Sequence, residues 1–138
     1  MLHIPTVVLL DHDPVSCFLL QRVLARVARV AHVYVAHTTP VALAHLCQLH
    51  AQPEPPGRVL ILLNPYHQPG GGRELLDERT RLGLVPQAVV MGLVFPTRLE
   101  PGGGPPLPRL AACLEKPVRE EALHAALQLF FPRTQPLR

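Results

Sequence analysis

At 138 residues with 48% hydrophobic content, the chain can bury one sizeable core, and a second domain is not expected. Charged residues are only 17% of the total, and a formal charge of +3 with a pI of 9.1 reflects a small excess of arginine without a basic tract that would track a phosphate backbone, so nucleic acid is not an expected partner. The longest apolar runs, Val59 to Leu63 and Ala88 to Phe95, fall far short of the roughly 20 residues of a spanning helix, and Met1 opens onto a strand pattern with no charged leader, so a soluble, cytoplasmic protein without membrane association is expected.

Thr6 to Leu10 is a short continuous apolar run rich in valine and leucine, the pattern of a strand buried on both faces of a parallel sheet, and it stops at Asp11. Asp13 followed by Pro14 supplies a helix N-cap and a proline at the first helical position. Beyond them Leu20, Val23, Leu24 and Val27 recur at helical spacing, while Arg22, Arg26 and Arg29 fall elsewhere. Ala31 to Ala36 reads as a second strand. Thr39 with Pro40 starts a second helix carrying Val41, Leu43, Leu46 and Leu49, which the proline cluster between Pro53 and Gly57 must end. The unit then repeats. Val59 to Leu63 is the third strand, Arg73 to Leu82 the third helix, Ala88 to Val94 the fourth strand, Ala111 to Glu115 a short fifth, and Val118 to Phe131 the last helix. In that helix Glu120 and Glu121 complement the macrodipole, and Leu123, Ala126, Leu127 and Phe130 form the stripe expected to be buried.

Strands alternating with helices imply right-handed parallel crossovers and a doubly wound α/β sheet of five strands, whose crevice lies at the carboxyl ends of the strands. Asp11, Asn64 and Lys116 all fall there. The connection Phe95 to Leu110 holds five prolines and three glycines and cannot sustain an ordinary helix, so the helix of the fourth crossover is expected to be lost or reduced. The domain is expected to span residues 1–131, with 132–138 as a C-terminal tail. Cys17, Cys47 and Cys113 are odd in number and set in apolar context, which suits reduced core thiols better than a disulfide framework or a CxxC metal site.

VVLLDHDP at Val7 to Pro14 and LEKP at Leu114 to Pro117 resemble the first and last motifs of the receiver domain of two-component response regulators, and the order and spacing of elements are similar across nearly the whole chain. The resemblance implies a flavodoxin-like (CheY-like) fold. It also implies a third strand that ends in a phosphoaccepting aspartate, with a glycine eight residues later. GRELL at Gly72 to Leu76 fixes that register, because counting eight residues back from Gly72 lands on Asn64. The family proline usually stands four residues after the acceptor, whereas Pro69 stands five after Asn64 and leaves Pro65 as the other candidate; either choice removes the carboxylate.

The other departures run the same way. His12 replaces the second member of the acidic pair, the hydroxyl position falls on Met91 or Gly92, and Cys113 stands three residues before Lys116, where the family usually carries an aromatic. An amide oxygen is a poor nucleophile compared with a carboxylate, so phosphorylation at Asn64 is not expected. Pro65 lacks the backbone N–H through which deamidation would restore the acid, so the amide persists. Asp11 and Lys116 alone sum to about zero charge, too little for a hard magnesium ion, and no cofactor is expected. Asp11, His12, Asn64, Met91, Gly92 and Lys116 therefore form a degenerate phosphorylation site in a pseudo-receiver.

Three function classes follow. The first is a phosphorylation-independent interaction module whose partner is another signalling protein, a histidine kinase or a regulator. The second is a phosphorylatable single-domain regulator using an atypical acceptor. The third is a transition-metal protein in which Asp11, His12, Asp13 and His67 supply the ligands, with solvated loop histidines and a capping Asp13 as the simpler account of the same residues. PGGG at Pro69 to Gly72 lacks the ending of a P-loop. His45, His50 and His124 read as surface residues. No Ser-His-Asp or Cys-His motif points to an enzyme. With no output domain following, any effect is expected to come by association. Phe130 and Phe131, adjacent aromatics before a proline-bearing tail, suggest a homodimer interface through the last helix and tail.

Overall fold

In the computed structural model of the chain, which describes residues 1–53, 57–65, 71–94 and 110–133, every side chain of VLILL is buried. This strand sits in the middle of a five-stranded, all-parallel sheet of order β2-β1-β3-β4-β5. The elements are β1 (Leu2–Leu10), α1 (Pro14–Val27), β2 (Ala28–Ala36), α2 (Thr39–His50), β3 (Val59–Leu63), α3 (Gly71–Leu82), β4 (Val89–Val94), β5 (Ala112–Glu115) and α4 (Glu120–Leu127). This is the doubly wound fold the alternation predicts. Alternate residues of each strand feed two separate cores, as a pleat with covered faces requires. Val7, Leu9, Leu60, Leu62, Met91 and Leu93 pack with Cys17, Leu20, Leu24, Leu123 and Leu127 from α1 and α4. Val8, Leu10, Ile61, Leu63 and Val90 pack with Ala42, Leu46, Leu49, Leu75 and Leu76 from α2 and α3.

Asp13 caps α1 as expected: its side chain accepts from the Val15 N–H at 3.0 Å and from Ser16 Oγ at 3.1 Å, and Pro14 opens the helix. The helix then runs into β2 without a loop, three residues before the predicted start at Ala31. The reason is that β1 is itself longer than its apolar run, so Leu2, His3 and Ile4 pair with Ala28, Arg29 and Val30. In α2 the buried face is Thr39, Ala42, Leu46 and Leu49, and Val41 is 45% exposed. Ala42 and Leu46, one turn apart, are both fully buried, so the inward face of α2 runs through Ala42 and its neighbour Val41 falls on the solvent side.

Gly72 explains why a glycine stands eight residues after Asn64. A Cβ there would lie 2.4 Å from Leu63 Cδ1 and 3.0 Å from Pro65 Cα, so only glycine lets α3 begin so close to the end of β3. At the other end of α3, Val85 adopts a positive φ of 43°. That turn is held by the Val85 N–H on His50 Nδ1 at 3.2 Å and by Arg79 on the Leu84 and Val85 carbonyls. His50 is thus a structural acceptor, which its sequence context does not reveal.

The last helix is shorter than predicted, and its end overturns one expectation. The chain turns after Leu127, whose carbonyl accepts from the Phe130 and Phe131 N–H groups at 3.0 Å. Phe131 then enters the α1/α4 core and is only 4% exposed, so it is not an interface residue, and Phe130 is half-buried against the same core. Past it, the Pro132 carbonyl accepts from the His3 N–H at 2.8 Å, Arg133 bridges Leu2 in antiparallel sense, and Arg58 donates to the Phe130 carbonyl at 2.9 Å. These contacts occupy the side of β1 that β3, starting at Val59 opposite Thr6, leaves uncovered. The first residues of the expected tail thus add to the sheet. The expectation for the fourth crossover falls on residues 95–109, outside the described residues. Among the described residues no helix is long and apolar enough to cross a membrane.

Candidate functional site

The backbone ladder continues one residue past several strands at their carboxyl ends, and this places the polar residues. Asp11 donates its N–H to the Ala36 carbonyl at 3.1 Å, Asn64 to Leu10 at 3.1 Å and Lys116 to Val94 at 2.7 Å. All three are buried, at 1%, 8% and 9% exposure, in a molecule whose other buried polar side chains among the described residues are only Thr6 and Thr39.

Asp11 is the hub. Its Oδ2 accepts from the Lys116 ammonium, and its Oδ1 accepts from the Asp13 N–H at 3.0 Å. Its backbone carbonyl accepts from His37 Nδ1 at 2.9 Å and from Cys17 Sγ at 3.5 Å. An ammonium withdrawn from water against a carboxylate that also takes a backbone N–H is a satisfied ion pair. The Val15 N–H, with Ser16 behind it, holds the Asp13 carboxyl below the usual carboxylate range, consistent with a committed helix cap.

His12 is on the surface, 63% exposed, with Nδ1 3.6 Å from Asp11 Oδ1. His67 lies outside the described residues. Among the described residues no three histidine, cysteine or acidic side chains are grouped to hold a metal ion. Met91 and Gly92 are not level with Asn64. The register pairs them with Leu62 and Leu63, so one rung further Leu93 stands opposite Asn64. Met91 is fully buried in the α1/α4 core, and a Cβ on Gly92 would come within 3.1 Å of Leu110 and 3.2 Å of Cys113. Leu93, which the resemblance passes over, is the β4 residue that lines the same cavity as Asp11 and Lys116. Counting from the end of β4 instead of from its middle would have found it.

His37 and Cys17 are the other residues the sequence leaves unmarked. Their Nδ1 and Sγ atoms are 3.9 Å apart, the separation of a nucleophile and a base. The chemistry does not follow. Burial and the nearby Asp11 push the Cys17 thiol up to about 11, and His37 Nδ1 is spent on the Asp11 carbonyl.

No protein-family model matches the sequence, and no curated protein matches it either. Solved structures do resemble the fold. A CheY-like response regulator receiver domain protein from Methanospirillum hungatei JF-1 superposes with a TM-score of 0.70 at 15% identity, over 91% of this chain and 92% of that one. A two component response regulator from Cytophaga hutchinsonii gives 0.69 at 19% identity, over 93% and 96%. A structure described as adenylate cyclase from Rhodopirellula baltica gives 0.64 at 20% identity, over 91% and 86%. The receiver fold is thereby shown.

Proposed function

We propose that this chain is a degenerate response-regulator receiver that acts as a phosphorylation-independent protein–protein interaction module in signalling. The observation that carries the proposal is the buried pair at the crevice: Lys116 already neutralises Asp11, and the neighbouring strand end presents an amide, Asn64. A receiver needs an aspartate at that strand end to form an acyl phosphate, and an amide oxygen does not serve.

Magnesium is the cofactor the fold family implies, and the donor set does not fit it. Both Asp11 oxygens are engaged, one by Lys116 and one by the Asp13 N–H, while the Asp13 carboxylate caps α1 and Leu93 fills the rung beside Asn64. A small, hard, octahedral cation requires several open oxygens, and each one missing must be replaced by water. The proposed function has no step through magnesium.

Output then comes from association with another signalling protein, a histidine kinase or a regulator. Self-association through the end of α4 rests on Leu129, 75% exposed, with Phe130 beside it, since Phe131 is internal. Light scattering at micromolar concentration tests this, and a monomeric mass contradicts it. Titration with beryllofluoride and magnesium tests the main proposal against a phospho-switch built on another acid: the proposal expects no binding, and saturable binding at sub-millimolar magnesium favours the switch.

A further inference from the structure

A cavity of about 480 Å³ opens between α1 and the β5–α4 junction, away from the α2/α3 face. Its walls are apolar: Leu19, Leu20 and Val23 on one side, Leu93, Pro117 and Val118 on the other. Small-molecule sites of known proteins fall in the range of about 300–1,000 Å³ and combine such walls with a few polar groups.

The polar groups at its two ends are unlike. At the crevice end, Asp11 is paired with Lys116, and the Asp13 carboxylate is turned to its own helix but stays an anion, so that end repels a second carboxylate. At the other end, Arg22 and Arg26 lie one helical turn apart and both line the cavity. The Arg22 guanidinium rests over the Phe18 ring at 5.7 Å from its centroid, a contact that uses the face of the guanidinium and not its N–H donors. Among the described residues Arg26 meets only a loose, exposed carboxylate, Glu120 at 3.9 Å, and is 63% exposed. The positive charge lining the groove outside the Asp11–Lys116 pair is therefore on Arg22 and Arg26 at one end, while the Asp13 anion stands at the other. Val15 and Arg26 are roughly 16 Å apart along the axis of α1 at about 1.5 Å per residue, which is the reach of a medium acyl chain.

We propose that this groove binds a free, soluble amphipathic carboxylate of medium chain length, with its head on Arg22 and Arg26 and its chain against Leu19, Val23, Pro117 and Val118. Two guanidinium forks hold a carboxylate bidentately, and the chain replaces water along a wall that is open in the free protein. The site goes beyond the proposed interaction function and does not depend on it, since neither arginine touches the Asp11–Lys116 pair.

Calorimetric titration with decanoate, kept below its micelle concentration, tests this. The expected result is one equivalent per chain with a Kd at or below about 1 mM, and tighter binding for decanoate than for octanoate. The double variant Arg22→Gln, Arg26→Gln should weaken decanoate by at least about tenfold while leaving decan-1-ol unchanged. Glu120→Gln, which releases Arg26, should tighten it. Leu19→Asp, at a position already 53% exposed and so tolerant of change, should abolish it. Thermal melts confirm that each variant is folded. No binding by wild type, several equivalents per chain, or equal affinity in the double arginine variant would overturn the proposal.

Discussion

Lys116 and Asp11 stand 105 residues apart in sequence and meet in a buried ion pair, the ammonium 9% and the carboxylate 1% exposed. Removing one partner leaves the other charge withdrawn from water, which costs about 3–5 kcal/mol, whereas replacing both by neutral groups is close to neutral. Lys116→Met should therefore be severely destabilised, and Asp11→Asn added to it should restore most of the loss. Urea unfolding of the two single variants and the double variant checks this. Additive losses would mean that the pair is not coupled.

Ligand counting gives a prediction about magnesium. Asn64→Asp adds a carboxylate at the crevice edge, but Lys116 still holds Asp11, His12 still replaces an acid, and Leu93 still offers no hydroxyl. The single variant should show no magnesium binding at millimolar concentration. Adding His12→Asp should begin to restore it, as read by calorimetry.

The C-terminal segment is part of the core. Phe131→Ala should cost about 3–5 kcal/mol, because the ring is 4% exposed and packs among Leu2, Ile4 and Leu127. Phe130→Ala should cost distinctly less, since that ring is half-buried. Truncation after Gln128 should match or exceed the Phe131 loss in denaturant titration.

The thiols should separate by reactivity. Only Cys17 is the core thiol that apolar context predicts for all three; Cys47 and Cys113 are exposed, so at pH 8 alkylation should label these two in the native protein and reach Cys17 only on unfolding. Raised in the folded state to about 11, the Cys17 thiol stays protonated where the unfolded chain, at about 8.5, has lost its proton. Above pH 8.5 the unfolded state thus binds fewer protons than the native one, and stability falls as pH rises toward the native value. Cys17→Ala should flatten that alkaline decline, measured by melts across the pH range.

How much of this is legible in the sequence depends on the range of the interaction. The strand VLILL, the Asp13 cap and the alternation of elements are local patterns, and the structure has them where the sequence puts them. The residues Asp11, Asn64 and Lys116 are legible as strand ends, because a parallel sheet gathers its carboxyl ends at one edge. What the sequence hides is pairing between distant segments. The role of His37 on the Asp11 carbonyl, of His50 on Val85, and of Phe131 beneath β1 each depends on a partner at least 26 residues away or on a turn that local periodicity does not mark. Helical periodicity carried past Leu127 puts Phe130 in the buried stripe, and Phe131 reads as an interface residue only because nothing in the tail beyond it promises a core, whereas the chain turns after Leu127 and takes Phe131 back to the sheet. Leu93 is hidden for a simpler reason: position along the apolar run points to Met91 or Gly92, and only the β3–β4 register, which pairs those two with Leu62 and Leu63, carries the count on to Leu93.

The most direct measurement is intact mass after incubation with acetyl phosphate and magnesium, alongside a receiver that retains its aspartate. The account predicts an unchanged mass for this chain while the control gains one phosphoryl group, because Asn64 offers no carboxylate and Asp11 is held by Lys116. A stable gain of one phosphoryl group by this chain, mapped to any residue of the crevice, would contradict it.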